Sequence, residues 1–396
     1  MAPQPSSEPS GAPHDRLRVF YVSYDGVGEP LGRSQVLSYL TRLAGDHEIT
    51  LFSFEKQDAD RSALAAELAA HGIAWRSLSY HKRPPVLSTL LDVLTGVRAL
   101  AAASRAGGRP DIVHVRSYVP ALIAMWARRF TGGKLLFDIR GFWADERIEG
   151  GIWPQSRLPY RALYRIAKRC ERWFFAEADA IVTLTHASVP QIRAWTGVRN
   201  VPIEVIPTCT DLERFAASER RQTGPQLLWC GSIGTWYRFD LAVALASFGN
   251  LRLDVVTRQT ELAEAALHGH DATVRSLPPE EVPAAMHVGD VGLSLCVASF
   301  SKTASAPTRV AEYLAAGMAV IANPGIGDLE AIVHQHRVGV VLEGEDEQAI
   351  TAALEQLKTL QADPGLPDRC RAVAHELFDV EAGSRRYAEL YSRLTA

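Results

Sequence analysis

Twice along this chain a short apolar run enters a glycine-bearing loop and a helical pattern follows, and no other feature limits the possible folds as much. The first run, residues 18–24 (RVFYVSY), meets the loop DGVGEPLG and is followed by helical spacing over 34–43; the second starts at Gln226 and reads LLWCGSIG. A strand, a glycine loop and a helix in that order open a nucleotide-binding type of α/β domain. Gly26, Gly28 and Gly32 lack the spacing of the dinucleotide fingerprint, which also needs an acidic residue on the next strand, so a nicotinamide cofactor finds little support.

The alternation continues between and beyond the two openings. Residues 48–55, 73–80, 112–115, 135–137, 180–184 and 203–206 read as strands, with helices over 61–71, 87–103, 120–130 and 158–176 among them. After Gln226, strands are expected at 253–257, 291–295, 319–322 and 338–342, and the chain closes in helical sequence over 379–394. Strands separated by helices call for parallel sheets covered on both faces. A length of 396 residues allows two such domains, each with its own core. The expected division is a tail at 1–15, a first domain at 16–207, a second at 208–378 and a terminal helix at 379–396. Ligands of such folds bind outside the carboxyl ends of the strands, so the two domains should face each other across a cleft.

Composition narrows the class. The apolar and charged fractions, 47% and 22%, fit a soluble globular protein, and no apolar run is expected to approach the roughly 20 residues that span a bilayer. The start of the chain, MAPQPSSEPSGAPHD, is rich in Pro and Ser without an apolar segment and reads as a disordered tail, not a signal peptide. Five scattered cysteines, never spaced as paired metal ligands, fit reduced and mostly buried thiols in a cytoplasm. The twelve histidines show no ligand spacing either, so no metal site is expected. The formal net charge of −3 hides an asymmetry: residues 1–215 carry 27 Lys and Arg against 22 Asp and Glu, and residues 216–396 carry 15 against 23. That split suits two domains with different partners, and equally a solvated surface without such meaning.

Two stretches carry candidate chemistry. Residues 301–323, SKTASAPTRVAEYLAAGMAVIAN, read as a polar loop, a helix opened by Pro307 and closed near Gly317, and a short apolar strand. A loop feeding a helix start presents unpaired N–H groups and the positive end of the helix dipole, which suits an anion such as a diphosphate. Lys302 and Arg309 flank that point, Ser305 and Thr308 add hydroxyl donors, and Glu312 sits about one turn further in. An ordinary surface loop and helix would read the same way. In the first half, Arg157, Arg161, Arg165, Lys168 and Arg172 recur at spacings of three or four and stack on one helix face. Such a face meets anionic lipid headgroups or a phosphorylated substrate, or is simply solvated.

Four stretches in order, YDGVGEPLGRSQVLSYL, FDIRGFWADERIEGG, VIPTCTDLERF and PTRVAEYLAAGMAVIANPGIGD, resemble a family 4 glycosyltransferase of the GT-B fold, over nearly the whole chain after the tail. The third resembles the family's link between domains, and the fourth its donor-site helix and following strand. The resemblance implies two Rossmann-like α/β domains facing across a cleft, with the terminal helix crossing back to the first. It implies retaining transfer of a sugar from a nucleotide diphosphate sugar, UDP- or GDP-linked, to an acceptor hydroxyl. That co-substrate is the sole cofactor implied, and no metal. The donor would lie in the second domain. A phosphorylated or lipid-linked acceptor would suit the more basic first domain; apart from the resemblance, the cysteine pattern suits a cytoplasmic protein, and the 157–172 helix allows peripheral contact with the inner face of the membrane. No nucleic acid is implied.

Residue by residue, the resemblance places Glu312 on the nucleotide ribose. The helix start from Ala306 to Arg309, with Lys302 and Arg238, would stabilise charge on the leaving phosphate. The other glutamate of the family's pair, which contacts the donor sugar, would fall at Ala304. The family's arginine just after Gly231 and its lysine five residues on are replaced by Ser232 and Tyr237, so Arg238 and Lys302 are the expected substitutes. Asp138 and Arg140, in the loop after a strand, are candidates to deprotonate or orient the acceptor, or else an ion pair that pins the loop; Asp145 and Glu146 are further candidates. Gly28, Gly32 and Gln35 would let the first loop approach the acceptor or the phosphates. The replaced residues also allow another function, that of a catalytically silent relative that binds a nucleotide sugar or partners an active enzyme.

Overall fold

The structure is a computed structural model that describes residues 16–195, 200–215, 226–287 and 289–396; the expected tail at 1–15 lies outside the described residues. Two parallel sheets organise it. The first contains β1 (Arg18–Ser23), β2 (Glu48–Glu55), β3 (Ala74–Ser79), β4 (Ile112–Arg116), β5 (Lys134–Asp138), β6 (Ala180–Thr183) and β7 (Ile203–Val205), in the order β3-β2-β1-β4-β5-β6-β7. The second contains β8 (Gln226–Cys230), β9 (Arg252–Val256), β10 (Ala272–Arg275), β11 (Val291–Ser294), β12 (Ala319–Ala322) and β13 (Gly339–Val341), in the order β10-β9-β8-β11-β12-β13. The strand order reverses between β1 and β4 and again between β8 and β11, and a ligand crevice opens at such switch points.

Burial explains which strands the sequence reveals. β4, β8, β11 and β12 are buried along their whole length, as apolar runs between two helix layers must be. β10 was not expected: its four half-buried residues at the sheet edge are too few for an alternation to show. The first sheet has an apolar cluster on each face. One gathers Phe20, Phe54, Val93, Ile123, Phe137 and Phe174 beneath helices Pro85–Gly107, Tyr118–Thr131 and Leu158–Glu177. The other gathers Val19, Leu40, Leu51, Leu68, Tyr387 and Tyr391 beneath helices Ser38–Leu43, Arg61–Ala70 and Val380–Thr395.

Two expectations change here. Against the expectation that no apolar run approaches spanning length, residues Val86–Gly107 form a helix long and apolar enough, by length and composition, to cross a membrane. It packs instead on Tyr118–Thr131, where Gly96 leaves room for Ile123: a Cβ at Gly96 would stand 2.7 Å from it. In helix Leu158–Glu177 the cations do not all share a face. Lys168 turns inward, 2.9 Å from the Asp145 carboxylate and paired with buried Glu171, while Arg169 is exposed.

The chain crosses between domains twice, side by side. The Thr210 N–H donates to the Phe378 carbonyl (2.9 Å), and the Val380 N–H donates to the Thr210 carbonyl (3.1 Å). Helix Leu366–Phe378 packs on Thr308–Ala315 of the second domain. Val380–Thr395, started by the Asp379 carboxylate on the Glu381 N–H, then packs on Ser38–Leu43 of the first.

Candidate functional site

The segments that follow β1, β8 and β9 meet at a cleft of about 850 Å³. The first domain contributes Gly28, Arg33, Ser34 and Ser38; the second contributes Gly231, Ser232, Thr257, Arg258, Arg309 and Glu312, and Arg214 comes from the link. The first-domain wall is set by Glu55 at the end of β2. Its buried carboxylate accepts the N–H groups of Val27 (2.9 Å) and Gly28 (3.2 Å), which fixes the glycine loop. A Cβ at Gly32 would stand 2.0 Å from the Gly26 carbonyl oxygen, so only glycine lets the helix begin this close to the loop.

The second-domain wall is the helix Thr308–Ala315. Pro307 precedes it, and Gly317, at φ +73°, turns the chain out of it. Tyr313 ties it to β8: its hydroxyl accepts the Cys230 N–H (3.0 Å) and its ring fills the space left by Gly292. One helical turn places Arg309 against Glu312 as an ion pair. Burial raises the Glu312 pKa above the usual carboxylate range, and the Arg309 guanidinium only partly opposes it. Glu312 is thus a desolvated acceptor at the edge of an open space, suited to hydroxyl donors from a ligand. Arg33 is held by Glu67 (3.0 Å), but Arg214, which donates to the Pro279 carbonyl (3.3 Å), and Arg258 form no ion pair with other described residues and leave their positive charge unneutralised by them.

The expected donor residues do not all gather at this cleft. Arg309, Glu312, Gly231, Ser232 and Gly28 line it. Lys302 does not: its ammonium lies 3.0 Å from the Glu146 carboxylate and 4.1 Å over the Trp236 ring. Ser305 lines a second interdomain cavity of about 590 Å³ with Thr185, His186 and Asp328, and Thr308 is half-buried and lines neither cavity. Arg238 is held by Asp240 (2.6 Å) and Glu345, which neutralises it as a phosphate cation. Ala304 is fully buried in the first domain's apolar cluster, at the end of the turn Phe300–Ala304. That turn docks on helix Trp143–Glu149: Phe300 stacks on neighbouring Phe142 at 5.3 Å, and Glu149 accepts from the Ser299 hydroxyl (2.7 Å) and the Ser301 N–H (3.1 Å). A glutamate at position 304 would bury a charge in that packing.

Of the first-domain candidates, Gly28 lines the cleft, and Asp138, Arg140, Gln35 and Gly32 lie away from it. Asp138 is 2% exposed at the end of β5, beneath the terminal helix. The Tyr387 hydroxyl donates to one of its oxygens (3.1 Å), Arg140 lies 3.7 Å away and His114 3.8 Å away; its other oxygen has no partner among the described residues. Arg140 donates to the Gln35 side-chain oxygen (2.9 Å), and Gln35 donates to the Cys209 carbonyl (3.4 Å). Tyr391 completes the network on His114 Nδ1 (2.6 Å). Burial alone would raise the Asp138 pKa, but Arg140, His114 and Arg116 outweigh it and hold the carboxyl below its usual range. Asp138, Arg140, Gln35 and Gly32 do not line the cleft, so in this conformation the first three anchor the terminal helix and Gly32 shapes the loop.

Sequence reasoning missed Arg214, Arg258 and Glu55. A signal existed for Arg258, the second residue beyond β9, at the carboxyl end where ligands bind. Glu330, His334 and Glu343 bring three potential ligand atoms within 4.8 Å of one another, but all three are exposed, none lines the cleft, and such surface groups are common without an ion.

Two parallel-sheet domains, a cleft between the carboxyl ends of their sheets and a terminal helix that returns to the first domain define the GT-B fold. Residues 32–209 match the family model described as the glycosyl transferase 4-like domain. The first domain is thus a glycosyl transferase 4-like domain, and the chain as a whole has the GT-B fold. Among solved structures, a sucrose-phosphate synthase from Thermosynechococcus elongatus is 16% identical, with 96% of this chain and 99% of that one covered and a TM-score of 0.70. Anabaena HepE in complex with UDP and glucose is 14% identical, with 95% and 100% covered and a TM-score of 0.68. A glycosyltransferase from Rickettsia africae is 14% identical, with 96% and 99% covered and a TM-score of 0.70. No curated protein matches the sequence significantly.

Proposed function

We propose that the chain transfers a sugar, with retention of anomeric configuration, from a UDP- or GDP-sugar in the second domain to an acceptor hydroxyl presented by the first. The observation that carries this reading is the cleft itself, where the raised-pKa Glu312 and its partner Arg309 face Gly231 and Ser232 across a space of about 850 Å³. In the proposed pose the ribose hydroxyls donate to Glu312, and the diphosphate lies against the 231–232 backbone and Arg309. Arg258 and Arg214 supply the remaining positive charge. Rupture of the sugar–phosphate bond leaves negative charge on the departing oxygen, and fixed guanidinium groups in a partly enclosed site stabilise it without a metal. That Anabaena HepE was solved with UDP and with UDP-glucose supports this donor class. The basic first domain supports a phosphorylated or lipid-linked acceptor. A thermal-shift panel of UDP, GDP, ADP and their sugars tests the reading: one base class should raise the transition temperature and its sugar should hydrolyse slowly. Silence across the panel would sink it.

One observation favours a second reading, a catalytically silent donor binder. Lys302 and Ala304 are held against the first domain, so the turn that the resemblance assigns to the donor sugar offers it neither a cation nor a carboxylate. Tight donor binding without turnover across a broad acceptor set would select it.

A further inference from the structure

Helices Pro85–Gly107, Tyr118–Thr131 and Leu158–Glu177 belong to crossovers that run the same way along the first sheet, from β3 to β4, β4 to β5 and β5 to β6, so they lie side by side on one face. A helix that covers a sheet ordinarily turns a polar back to water. These turn out apolar groups: Val86, Leu87, Leu90, Leu91 and Leu94 are 39–67% exposed, and Trp126, Leu158, Ile166 and Trp173 are exposed as well. Charge on the face has one sign. The three helices hold nine Lys and Arg against three acids, and every acid is engaged: Asp92 with His81 and Tyr24, Glu171 with Lys168 and Tyr118, Glu177 with Arg128. Arg161, Arg165, Arg169 and Arg172 are exposed beside the apolar residues of the third helix, and exposed Lys82 and Arg83 precede the first.

We propose that this face docks on an anionic lipid bilayer. The leucine-rich start of Pro85–Gly107 enters the headgroup boundary, and the arginines of Leu158–Glu177 meet the lipid phosphates. A face with exposed aliphatic, Trp and Arg groups and no free acid complements a negatively charged apolar surface, whereas a protein partner of mixed charge would leave these cations partly unmatched. Crossover helices run opposite to their strands, so the starts of the first and third helices lie at the strands' carboxyl ends, the edge that borders the cleft. Docking there brings a lipid-linked acceptor to the cleft without extraction from the bilayer. That consequence rests on the glycosyltransferase reading; the bilayer contact does not.

Cosedimentation of the full chain with vesicles of phosphatidylcholine, alone or mixed with phosphatidylglycerol, tests the contact. The chain should sediment with the mixed vesicles, little with the neutral ones, and less as salt rises. Arg165→Glu with Arg169→Glu should weaken binding at least about tenfold, and Leu87→Ser with Leu91→Ser about fivefold. Arg337→Glu, on the second domain, should change nothing. Melting curves confirm that each variant is folded. Absence from the mixed-vesicle pellet overturns the proposal, as does equal weakening by Arg337→Glu. Self-association through the same face without vesicle binding overturns it too, in favour of a second copy of the chain. The nucleotide panel needs no lipid, so a chain that responds to nucleotide but ignores vesicles loses the docking proposal alone.

Discussion

Asp138 with Arg140 and Glu312 with Arg309 are both acid–arginine pairs near the carboxyl edge of a parallel sheet, yet their carboxyl groups are displaced in opposite directions. At Asp138, Arg140, His114 and Arg116 together overcome burial, and the pKa falls; at Glu312, burial overcomes Arg309, and the pKa rises. The covering differs as well. Tyr387, 249 residues beyond Asp138, closes the first pair under the terminal helix, while the second opens on the cleft. A carboxylate already ringed by cations and sealed from solvent holds the fold together. One under-compensated beside an open space has free energy to gain from a ligand's donors.

The comparison can be broken most forcefully at Asp138. Asp138→Ala leaves Arg140 buried without its carboxylate and should cost about 3–5 kcal/mol of stability, read by urea denaturation, while folded protein keeps its nucleotide response. An equally stable variant that no longer binds nucleotide would exchange the roles of the two pairs. Glu312→Ala should do the reverse: the fold stays intact, and nucleotide affinity falls by about 1.5–3 kcal/mol, roughly ten- to a hundredfold, in titration calorimetry.

Acidification sharpens the contrast. The His114 pKa is lowered by burial from an ordinary 6.5, so the unfolded chain takes up that proton first. Stability should be full above pH 6.5 and decline as pH falls toward the folded value, with Asp138 adding a further loss below its ordinary 3.8. Glu312 has the opposite sign: its raised pKa means that the unfolded chain releases the proton more readily above 4.5, so its ionisation opposes folding as pH rises. Nucleotide affinity, which needs the ionised form, should drop at a higher pH than for an ordinary glutamate, and Glu312→Gln should flatten that drop. Melting temperature and affinity measured across pH check both signs.

Smaller effects separate cations without a carboxylate partner from ion-paired ones. Arg258→Ala and Arg214→Ala should each weaken nucleotide binding by about 1 kcal/mol, roughly fivefold. Arg238→Ala should change it less than about twofold, because Asp240 and Glu345 already hold that guanidinium.

Much of the fold was legible because its central strands are buried on both faces and its loops carry glycine where side chains would collide, as at Gly32. Pro307 and Gly317 bracketed the helix Thr308–Ala315 to within a residue or two. The sites were less legible. An arginine's role depends on which carboxylate reaches it: Arg238 meets Glu345, 107 residues away, and Lys302 meets Glu146 in the other domain, neither of which a local pattern contains. Asp138 looked like a site residue because it ends a strand, and only the returning helix shows that it is covered. Ala304 looked like a lost ligand contact, whereas packing against the first domain gives an alanine there its own reason.

Titration calorimetry with the nucleotide selected by the panel, run in parallel on Glu312→Gln and Asp138→Asn, bears most directly on the placement of the site. Expected is a loss of affinity of at least about tenfold in Glu312→Gln and near-native affinity in the folded fraction of Asp138→Asn. Unchanged affinity in Glu312→Gln, with loss in Asp138→Asn, would move the nucleotide out of this cleft.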